Sequence, residues 1–298
     1  MAFSVGAYTD AGIRKKINQD AYGLRVVESG PYELGFAIVC DGIGGMSQGE
    51  LASGLVVCAF LEWFQLHMTE LLMNSISQEE LFHQWTCTIY ETNRILLKYA
   101  QEHRFNIGTT ATLLLVSHNR LFAMNIGDTR LYQIYNKKIE QITKDHTLVQ
   151  KEVDQGIITL ESAITDKRKN ILTRCIGSES KISPDFYSGD IHSGTIYLLC
   201  SDGFRNVLKP QEICHNIALS SESNNELSNC LRNLAETAKR RGEKDNITAI
   251  ALRVESNHDF FEQTVDLEDT ISIVHIKNHF QAESAQLWVE NNSLRDCL

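Results

Sequence analysis

Three aspartates each stand where an apolar run meets a turn residue, and this pattern constrains the chain more than any other feature. Asp41 follows Phe-Ala-Ile-Val-Cys, Asp202 follows Ile-Tyr-Leu-Leu-Cys-Ser, and Asp245 comes just before the run Ile-Thr-Ala-Ile. A carboxylate at the mouth of a buried strand loses solvent, so it needs a cation or a proton beside it. Three such carboxylates that converge without a matching cluster of Lys or Arg are expected to hold a divalent metal ion.

The apolar patterns predict an α+β fold in which helices pack on an antiparallel core. Two helices are each expected to begin with a capping box, Ser47-x-x-Glu50 and Ser77-x-x-Glu80. The run from 109 to 142 predicts an antiparallel meander of four short strands. The remaining predicted elements are strands over 23–27, 33–40, 196–200 and 247–254, a turn at Gly30-Pro31, helices over 148–155 and 225–241, and a flap over 145–183.

Composition narrows the class of protein. A hydrophobic fraction of 43% and only three prolines in 298 residues favour one continuous folded domain. The net charge of −10 disfavours nucleic acid as a partner. The N-terminus has no signal-peptide pattern, no membrane span is expected, and the eight cysteines form no C-x-x-C pair. We therefore expect a cytoplasmic monomer with reduced thiols.

The last 44 residues differ in charge from the rest. Residues 255–298 hold nine acidic residues against two basic ones. We expect 1–254 to form the catalytic domain and 255–298 an acidic extension. The extension is either partly disordered or a segment that inhibits the domain or docks a partner, and Thr270-Ile271-Ser272-Ile273 within it alternates like a strand.

The donor atoms indicate which metal. Sites built from oxygen ligands select hard cations, which points to Mg²⁺ or Mn²⁺ rather than zinc. Gly42 and Gly203 let the backbone turn sharply after Asp41 and Asp202, and a carbonyl freed by such a turn can serve as a further ligand. Asp20 and Asp128 are second-tier candidates. The alternative is that each Asp-Gly or Asp-Asn is an ordinary turn dipeptide. That alternative explains any single one of them better than it explains all of them together.

Arg14 is the candidate for binding phosphate, because a guanidinium binds phosphate in a bidentate way and Lys15 or Lys16 would do so less well. The alternative is a solvated basic turn. His146 is expected to have a capping or packing role rather than a catalytic one.

Taken together, the chain resembles the metal-dependent protein serine/threonine phosphatases, the type 2C or PPM family. The resemblance rests on eight markers in the right order: Arg14…Asn18-Gln19-Asp20, Val39-Cys-Asp41-Gly42-Ile-Gly44-Gly45, Gly108-Thr109-Thr110-Ala-Thr112, Asn125-Ile-Gly127-Asp128-Thr-Arg130, Asp145-His146-Thr147-Leu148, Leu172-Thr-Arg174-x-Ile-Gly177, Leu199-x-Ser201-Asp202-Gly203 and Lys244-Asp245-Asn246-Ile-Thr248. The form without His after Asp41-Gly42 is similar to the bacterial branch.

The resemblance implies two facing antiparallel sheets with helices outside, a four-layer α-β-β-α sandwich, and a binuclear metal site at one end. The implied nucleophile is a metal-bridging hydroxide. In the implied site Asp41 bridges two Mn²⁺ or Mg²⁺ ions, the Gly42 carbonyl binds one of them, Asp202 and Asp245 bind the other, Asp20 holds metal-bound water, Asp128 helps to hold a third ion, and Arg14 takes the phosphate.

The chain also departs from the family. Gln19 stands where many relatives have a metal-binding Glu, and Ile43 stands where eukaryotic relatives have a His. Asp166-Lys167 replaces a His-Pro pair of the bacterial pattern, which bears on contacts of the flap with substrate.

The expected function is hydrolysis of phosphoserine and phosphothreonine on proteins, in signalling that opposes a Ser/Thr kinase. One alternative is a non-catalytic regulator that binds phosphoproteins or metal, for which Gln19 is the only support. A second is an aspartyl-phosphatase with a covalent intermediate, but Asp41-Gly-Ile-Gly lacks the second Asp that this chemistry needs.

Overall fold

The computed structural model describes residues 3–29, 32–43, 46, 48–220, 223–255 and 272–279. The predicted turn at Gly30-Pro31, the marker glycines 44 and 45, and Ser47 lie outside these residues. So does the tail apart from 255 and 272–279.

Within these ranges, eleven strands form two antiparallel sheets. The first sheet has the order β1 (Phe3–Asp10), β10 (Ile247–Val254), β9 (Ile196–Cys200), β6 (Arg130–Tyr135) and β7 (Lys138–Gln141). The second has the order β11 (Ser272–His279), β2 (Asp20–Ser29), β3 (Tyr32–Asp41), β4 (Ala111–Ser117), β5 (Arg120–Ile126) and β8 (Asp185–Asp190).

Helices cover the outer face of each sheet. The helices of the second sheet are α1 (Gly49–Leu72) and α2 (Gln78–His103); those of the first are α5 (Asp202–Arg205), α6 (Pro210–Leu219) and α7 (Asn224–Arg240). Two short helices, α3 (Leu148–Asp154) and α4 (Leu160–Thr165), belong to the segment that links the first sheet back to the second.

The alternation of side chains along β3 shows how the layers form. Leu34, Phe36 and Ile38 pack with α1 and α2, whereas Ala37 and Val39 pack between the two sheets. Because successive side chains of a strand point to opposite faces, a strand that is apolar throughout must be covered on both sides. The α-β-β-α sandwich is therefore confirmed.

Helix α1 is apolar around most of its circumference. By length and composition it is the one described helix that could cross a membrane, but 78% of its most apolar window is buried in the protein. That burial is typical of a core helix, because α1 lies under the second sheet and beside α2. Its N-cap is Gln48 in the left-handed conformation, and Ser47, where the expected capping box begins, lies outside the described residues.

Helix α2 begins as predicted. Ser77 is the N-cap, and its hydroxyl accepts a hydrogen bond from the backbone N–H of Glu80 at 3.2 Å. Its apolar stripe is core, since Leu81, Trp85 and Ile89 are all buried.

The predicted single meander over 109–142 is wrong. Strands β4 and β5 belong to the second sheet, whereas β6 and β7 belong to the first. The chain crosses between the sheets at Gly127, whose φ of 104° is open to glycine but strained for other residues. This crossing brings the next residue, Asp128, to the end of the sandwich.

Several described elements were not predicted, among them β8 and α6. Strand β8 has the polar sequence Asp-Phe-Tyr-Ser-Gly-Asp and lies at the edge of the second sheet beside β5, where half-exposed side chains are tolerated. Helix α6 begins with Pro210 at its first position, which is a favourable place for proline.

Candidate metal centre

Two of the candidate aspartates face each other across neighbouring strands. Asp20 is the first residue of β2, Asp41 is the last residue of β3, and they are paired in the register of the second sheet. The backbone N–H of Asp41 donates to Thr110 Oγ1 at 2.9 Å. The Ser201 hydroxyl, which follows β9 of the first sheet, donates to Asp20 Oδ2 at 2.9 Å. Both sheets therefore contribute to the same end of the sandwich.

Gly42 permits the close packing just after β3. A Cβ at this position would lie 2.4 Å from the carbonyl oxygen of Gly49 and 2.5 Å from that of Gln19. The Gly42 N–H donates to Gln19 O at 3.1 Å, which ties the end of β3 to the residue before β2. Any side chain would push α1 away from the site.

Asp202 and Asp245 come from the first sheet and its helices. Asp202 opens α5, and Asn206 Nδ2 donates to its Oδ2 at 3.3 Å. A Cβ on Gly203 would lie 2.1 Å from Asn246 O, so only glycine lets α5 pack against the start of β10. This contact places Asp202 beside Asp245.

Asp128 lies in the turn between β5 and β6. Arg205 Nη2 donates to the backbone oxygen of Asp128 at 2.9 Å and lies 3.7 Å from Asp128 Oδ2. The arginine thus fixes the turn that carries the carboxylate.

His146 supports that turn from the other side. Its Nδ1 accepts from the Gly127 N–H at 3.1 Å, and its Nε2 lies 3.1 Å from Asp185 Oδ2. Burial lowers the pKa of His146, and Arg174 acts in the same direction, while its contact with Asp185 raises it. A neutral ring with its proton on Nε2 satisfies both contacts. These contacts match the packing role expected of this residue.

Four of the aspartates line one cavity of about 230 Å³: Asp41, Asp128, Asp202 and Asp245. Its other lining residues include Lys15, Ile43 and Thr110. Asp20 does not line the cavity but is buried, with 2% of its surface exposed, and its charge acts on Asp41. The structure thus brings together all five aspartates that the sequence predicts.

The carboxylates destabilise one another's charged forms. Burial, followed by repulsion from Asp20, Asp202 and the other aspartates, raises the pKa of Asp41 well above its ordinary value. The pKa of Asp20 and of Asp128 is raised from 3.8 to about 7, chiefly by burial and in addition by repulsion from neighbouring aspartates. The pKa of Asp202 is raised for the same two reasons, with burial again the larger. A cavity of this kind requires protons or cations.

The donor set fits a hard divalent cation. All five side chains are carboxylates, and Asp20 Oδ1 is buried without a hydrogen-bond partner. Among the described residues, however, no group of three or more His, Cys, Asp or Glu side chains is already arranged to hold a metal ion. The backbone places the carboxylates around one cavity, and ligation would require their side chains to turn inward.

The structure does not bring Arg14 to this cavity. Arg14 is exposed, and the cation that lines the cavity is its neighbour Lys15, whose Nζ lies 2.9 Å from Asp245 Oδ1. Arg14, Lys15 and Lys16 are consecutive in the sequence, and nothing in their spacing indicates which of them reaches the cavity.

Asn246 was not singled out from the sequence but organises the loop between β1 and β2. Its Nδ2 donates to the carbonyl oxygens of Ala11 and Ile17 at 3.0 and 3.1 Å, and its Oδ1 accepts from the Gln19 N–H at 3.0 Å. The sequence feature that could have identified Asn246 is its position directly after Asp245, at the start of an apolar strand.

Gln19 is part of this frame. Its Nε2 donates to Glu50 Oε2 at 3.1 Å, and its carbonyl oxygen accepts from the Ser53 hydroxyl at 2.6 Å. The amide therefore joins the start of β2 to the first turn of α1.

Comparison with known proteins agrees with this geometry. The sequence profile of the family "Protein phosphatase 2C" matches residues 35–247. The chain is 32% identical to the serine/threonine phosphatase stp of Listeria monocytogenes over 244 residues, which is 81% of this chain and 92% of that protein.

Solved structures show the same fold. The serine/threonine phosphatase Stp1 from Staphylococcus aureus superposes with a TM-score of 0.74 at 30% identity, covering 86% of this chain and 96% of that one. The catalytic domain of the phosphatase PstP in complex with two manganese ions gives a TM-score of 0.66 at 27% identity, covering 85% of this chain and 98% of that one. The chain therefore belongs to the protein phosphatase 2C family, in its bacterial branch.

Proposed function

We propose that this protein hydrolyses phosphoserine and phosphothreonine esters on other proteins, with divalent metal ions held by its aspartate cluster. The observation that carries the proposal is the cavity of about 230 Å³ lined by four carboxylates, of which Asp41, Asp128 and Asp202 have raised pKa values. Its members come from both sheets, so the fold itself assembles the site. The relatives compared above are phosphatases, which favours an active enzyme over a non-catalytic regulator.

The metal ligands belong to the proposal. Two ions, either Mn²⁺ or Mg²⁺, would be held by Asp41, the Gly42 carbonyl, Asp202 and Asp245. Asp20 would hold metal-bound water, and Asp128 would help to hold a third ion. When bound, such ions lower the pKa of water towards neutrality and neutralise charge on the phosphoryl group. The repulsion that contributes to the raised pKa values of Asp20, Asp41, Asp128 and Asp202 would then be compensated.

Lys15 replaces Arg14 as the proposed phosphate-binding residue. Its ammonium reaches Asp245 at 2.9 Å, and its side chain is half-buried beside the cavity. Once metal ions compensate Asp245, the same ammonium is free to contact a phosphate oxygen of the substrate. A lysine provides a point charge rather than a planar fork, so it contributes charge but little geometric selection.

Ile43 lies where a residue could protonate the departing alcohol. It lines the cavity, so the side chain at this position excludes water but cannot donate a proton. His146 is also unsuited to that task, because both ring nitrogens are engaged by Gly127 and Asp185.

The cellular setting is part of the same proposal. We place the protein in the cytoplasm as a monomer that opposes a Ser/Thr kinase. The seven cysteines in the described ranges are free thiols, as expected in a reducing compartment.

The test is hydrolysis of p-nitrophenyl phosphate and of a phosphothreonine peptide with Mn²⁺, with Mg²⁺ and with EDTA, beside the Asp202→Asn variant. We expect turnover that is lost with EDTA and in the variant. Metal binding by calorimetry without turnover under any metal would contradict the proposal and favour the regulator. Trapping of a covalent adduct with beryllofluoride would instead indicate an aspartyl-phosphatase.

A further inference from the structure

A second cavity, of about 240 Å³, lies beside the carboxylate cavity and between the flap and helices α5 and α6. We call it the flap cavity. One wall includes Leu160 and Ile164 of α4, and another includes Leu208 and Ile213. Leu160 and Ile164 are 61% and 71% exposed, which makes this wall accessible to a partner.

The two cavities adjoin. Asn170 lines both of them. Arg205 lines the flap cavity and holds the backbone of Asp128, and Asn206 lines it and donates to Asp202. A chain with its phosphoresidue in the carboxylate cavity would therefore have a neighbouring side chain at the flap cavity, since extended residues advance about 3.3–3.6 Å each.

The charge of the flap cavity is opposite to that of its neighbour. It is lined by three cations, Arg130, Lys169 and Arg205, and by one acid, Asp145. Arg130 binds Asp145 through two hydrogen bonds of 2.8 and 2.7 Å, so this pair is neutral as a unit. The net charge therefore comes from the other two cations.

Arg205 is compensated in part by ion pairs with two carboxylates, whereas Lys169 is not compensated by the part of the chain that the structure describes. Arg205 Nη2 lies 3.7 Å from Asp128 Oδ2 and from Asp145 Oδ2, beyond hydrogen-bond distance, and Arg205 Nε is buried with no partner. Lys169 is half-buried and forms no ion pair with any residue in the described ranges. A mobile ammonium beside apolar walls is suited to an anionic group on an apolar stem.

We propose that the flap cavity binds an anionic side chain of the protein substrate, close in sequence to the phosphoresidue under hydrolysis. An acidic residue and a second phosphorylated residue share this chemistry. The inference rests on the proposed function and narrows it from any phosphoprotein to phosphosites with a nearby negative charge. Lys169 is the specificity-determining residue, because it is the accessible cation without a partner.

The experiment compares phosphothreonine peptides that differ at one flanking position, scanned over about four residues on each side. The flanking residue is Ala, Glu, phosphoserine or Lys, and kcat/KM is measured with Mn²⁺. At one position we expect the wild-type protein to favour Glu or phosphoserine over Ala by about threefold to tenfold, the range of a half-buried charged contact. The two anionic arms separate an acidic residue from a second phosphate.

Charge reversal tests the residue itself. Lys169→Glu is expected to reverse the preference so that the Lys peptide becomes the best substrate, and Lys169→Gln is expected to remove the preference without reversing it. Lys167→Glu is the matched control, since Lys167 is exposed on the same segment and does not line the cavity. Thermal melts establish that each variant folds.

Equal kcat/KM for all flanking residues in the wild-type protein would overturn the inference, and so would equal shifts from Lys167→Glu and Lys169→Glu. Either result leaves the proposed function intact, because the peptides are still hydrolysed. Absence of hydrolysis of every peptide would instead contradict the proposed function.

Discussion

Lys15 Nζ lies 2.9 Å from Asp245 Oδ1, and both side chains line the carboxylate cavity. Lys15 is thus the cation that lines this cavity, whereas Arg14 is exposed. The ion pair is partly exposed, with 30% and 42% of the two side chains accessible, so its contribution to folding stability is small. Its importance is expected in catalysis.

Replacing Lys15 is expected to weaken turnover more than replacing Arg14. Lys15→Ala should lower kcat/KM by about tenfold or more, because a charged hydrogen bond to phosphate contributes about 1.5–3 kcal/mol. Arg14→Ala serves as the matched control on the same loop and should change kcat/KM by less than about threefold. Steady-state kinetics on a phosphothreonine peptide distinguish the two variants. A larger loss of kcat/KM in Arg14→Ala would show that Arg14 is the phosphate-binding residue.

Removing a carboxylate at the centre of the cluster should remove activity but not the fold. Asp41→Asn is expected to lower kcat by more than about 100-fold, since even the outer-shell partners of metal ligands cost 10–100-fold when they are mutated. Its metal-free form should be at least as stable as the wild type, because the side chain that suffers the most repulsion is now neutral. Asp190→Asn, at the exposed end of β8, is the control. Near-wild-type turnover of Asp41→Asn with Mn²⁺ would rule out the assigned metal site.

The raised pKa values predict a stability that depends on pH and metal. Asp20 and Asp128 ionise near pH 7 in the folded state but near 3.8 when unfolded, so the folded state binds more protons between these values. The metal-free protein should therefore lose stability as the pH rises from about 4 to about 7. Above that window the charges remain uncompensated, and Mn²⁺ should raise Tm by several degrees more at pH 8 than at pH 5.

Differential scanning fluorimetry with Mn²⁺ or EDTA measures this pH-dependent effect of the metal on Tm. Asp128→Asn should show a smaller difference, and an equal metal effect at both pH values would refute the electrostatic account.

The Gln19–Glu50 contact predicts a destabilising substitution that looks conservative. Gln19→Glu replaces the donor to Glu50 Oε2 with a second carboxylate at about 3 Å, which should cost about 1–3 kcal/mol of unfolding free energy in the metal-free protein. Glu50→Gln in the same chain should restore most of the loss. Urea unfolding of the two single variants and the double variant gives the coupling energy, and additive effects would show that the contact does not matter.

The tail can be tested through strand β11. It pairs with β2 in antiparallel register, from Ser272 opposite Glu28 to His279 opposite Tyr22, with a bulge between Ile273 and His275. A protein truncated after 255 should therefore melt at a lower temperature, because the outer edge of β2 loses its partner. The hypothesis that the tail inhibits the domain also predicts a higher kcat/KM after truncation, and an unchanged kcat/KM would eliminate that role.

The sequence by itself determined many of the buried strands and the members of the carboxylate cluster. Apolar runs that end in Asp, such as the one before Asp41, specify a buried strand and a carboxylate at its mouth, and both are local properties. The Ser77 cap and the Trp85 stripe are local in the same sense, because capping and helical periodicity act within a few residues.

Only the tertiary structure decided which residues meet. The choice of Lys15 over Arg14 depends on how the β1–β2 loop is held by Asn246, some 230 residues away. The split of the predicted meander depends on pairing of β5 with β8 and of β6 with β9, and strand pairing is a long-range interaction that a local pattern does not contain. The same holds for the pKa values of the aspartates, since burial and the repulsion of distant carboxylates exist only after both sheets have come together.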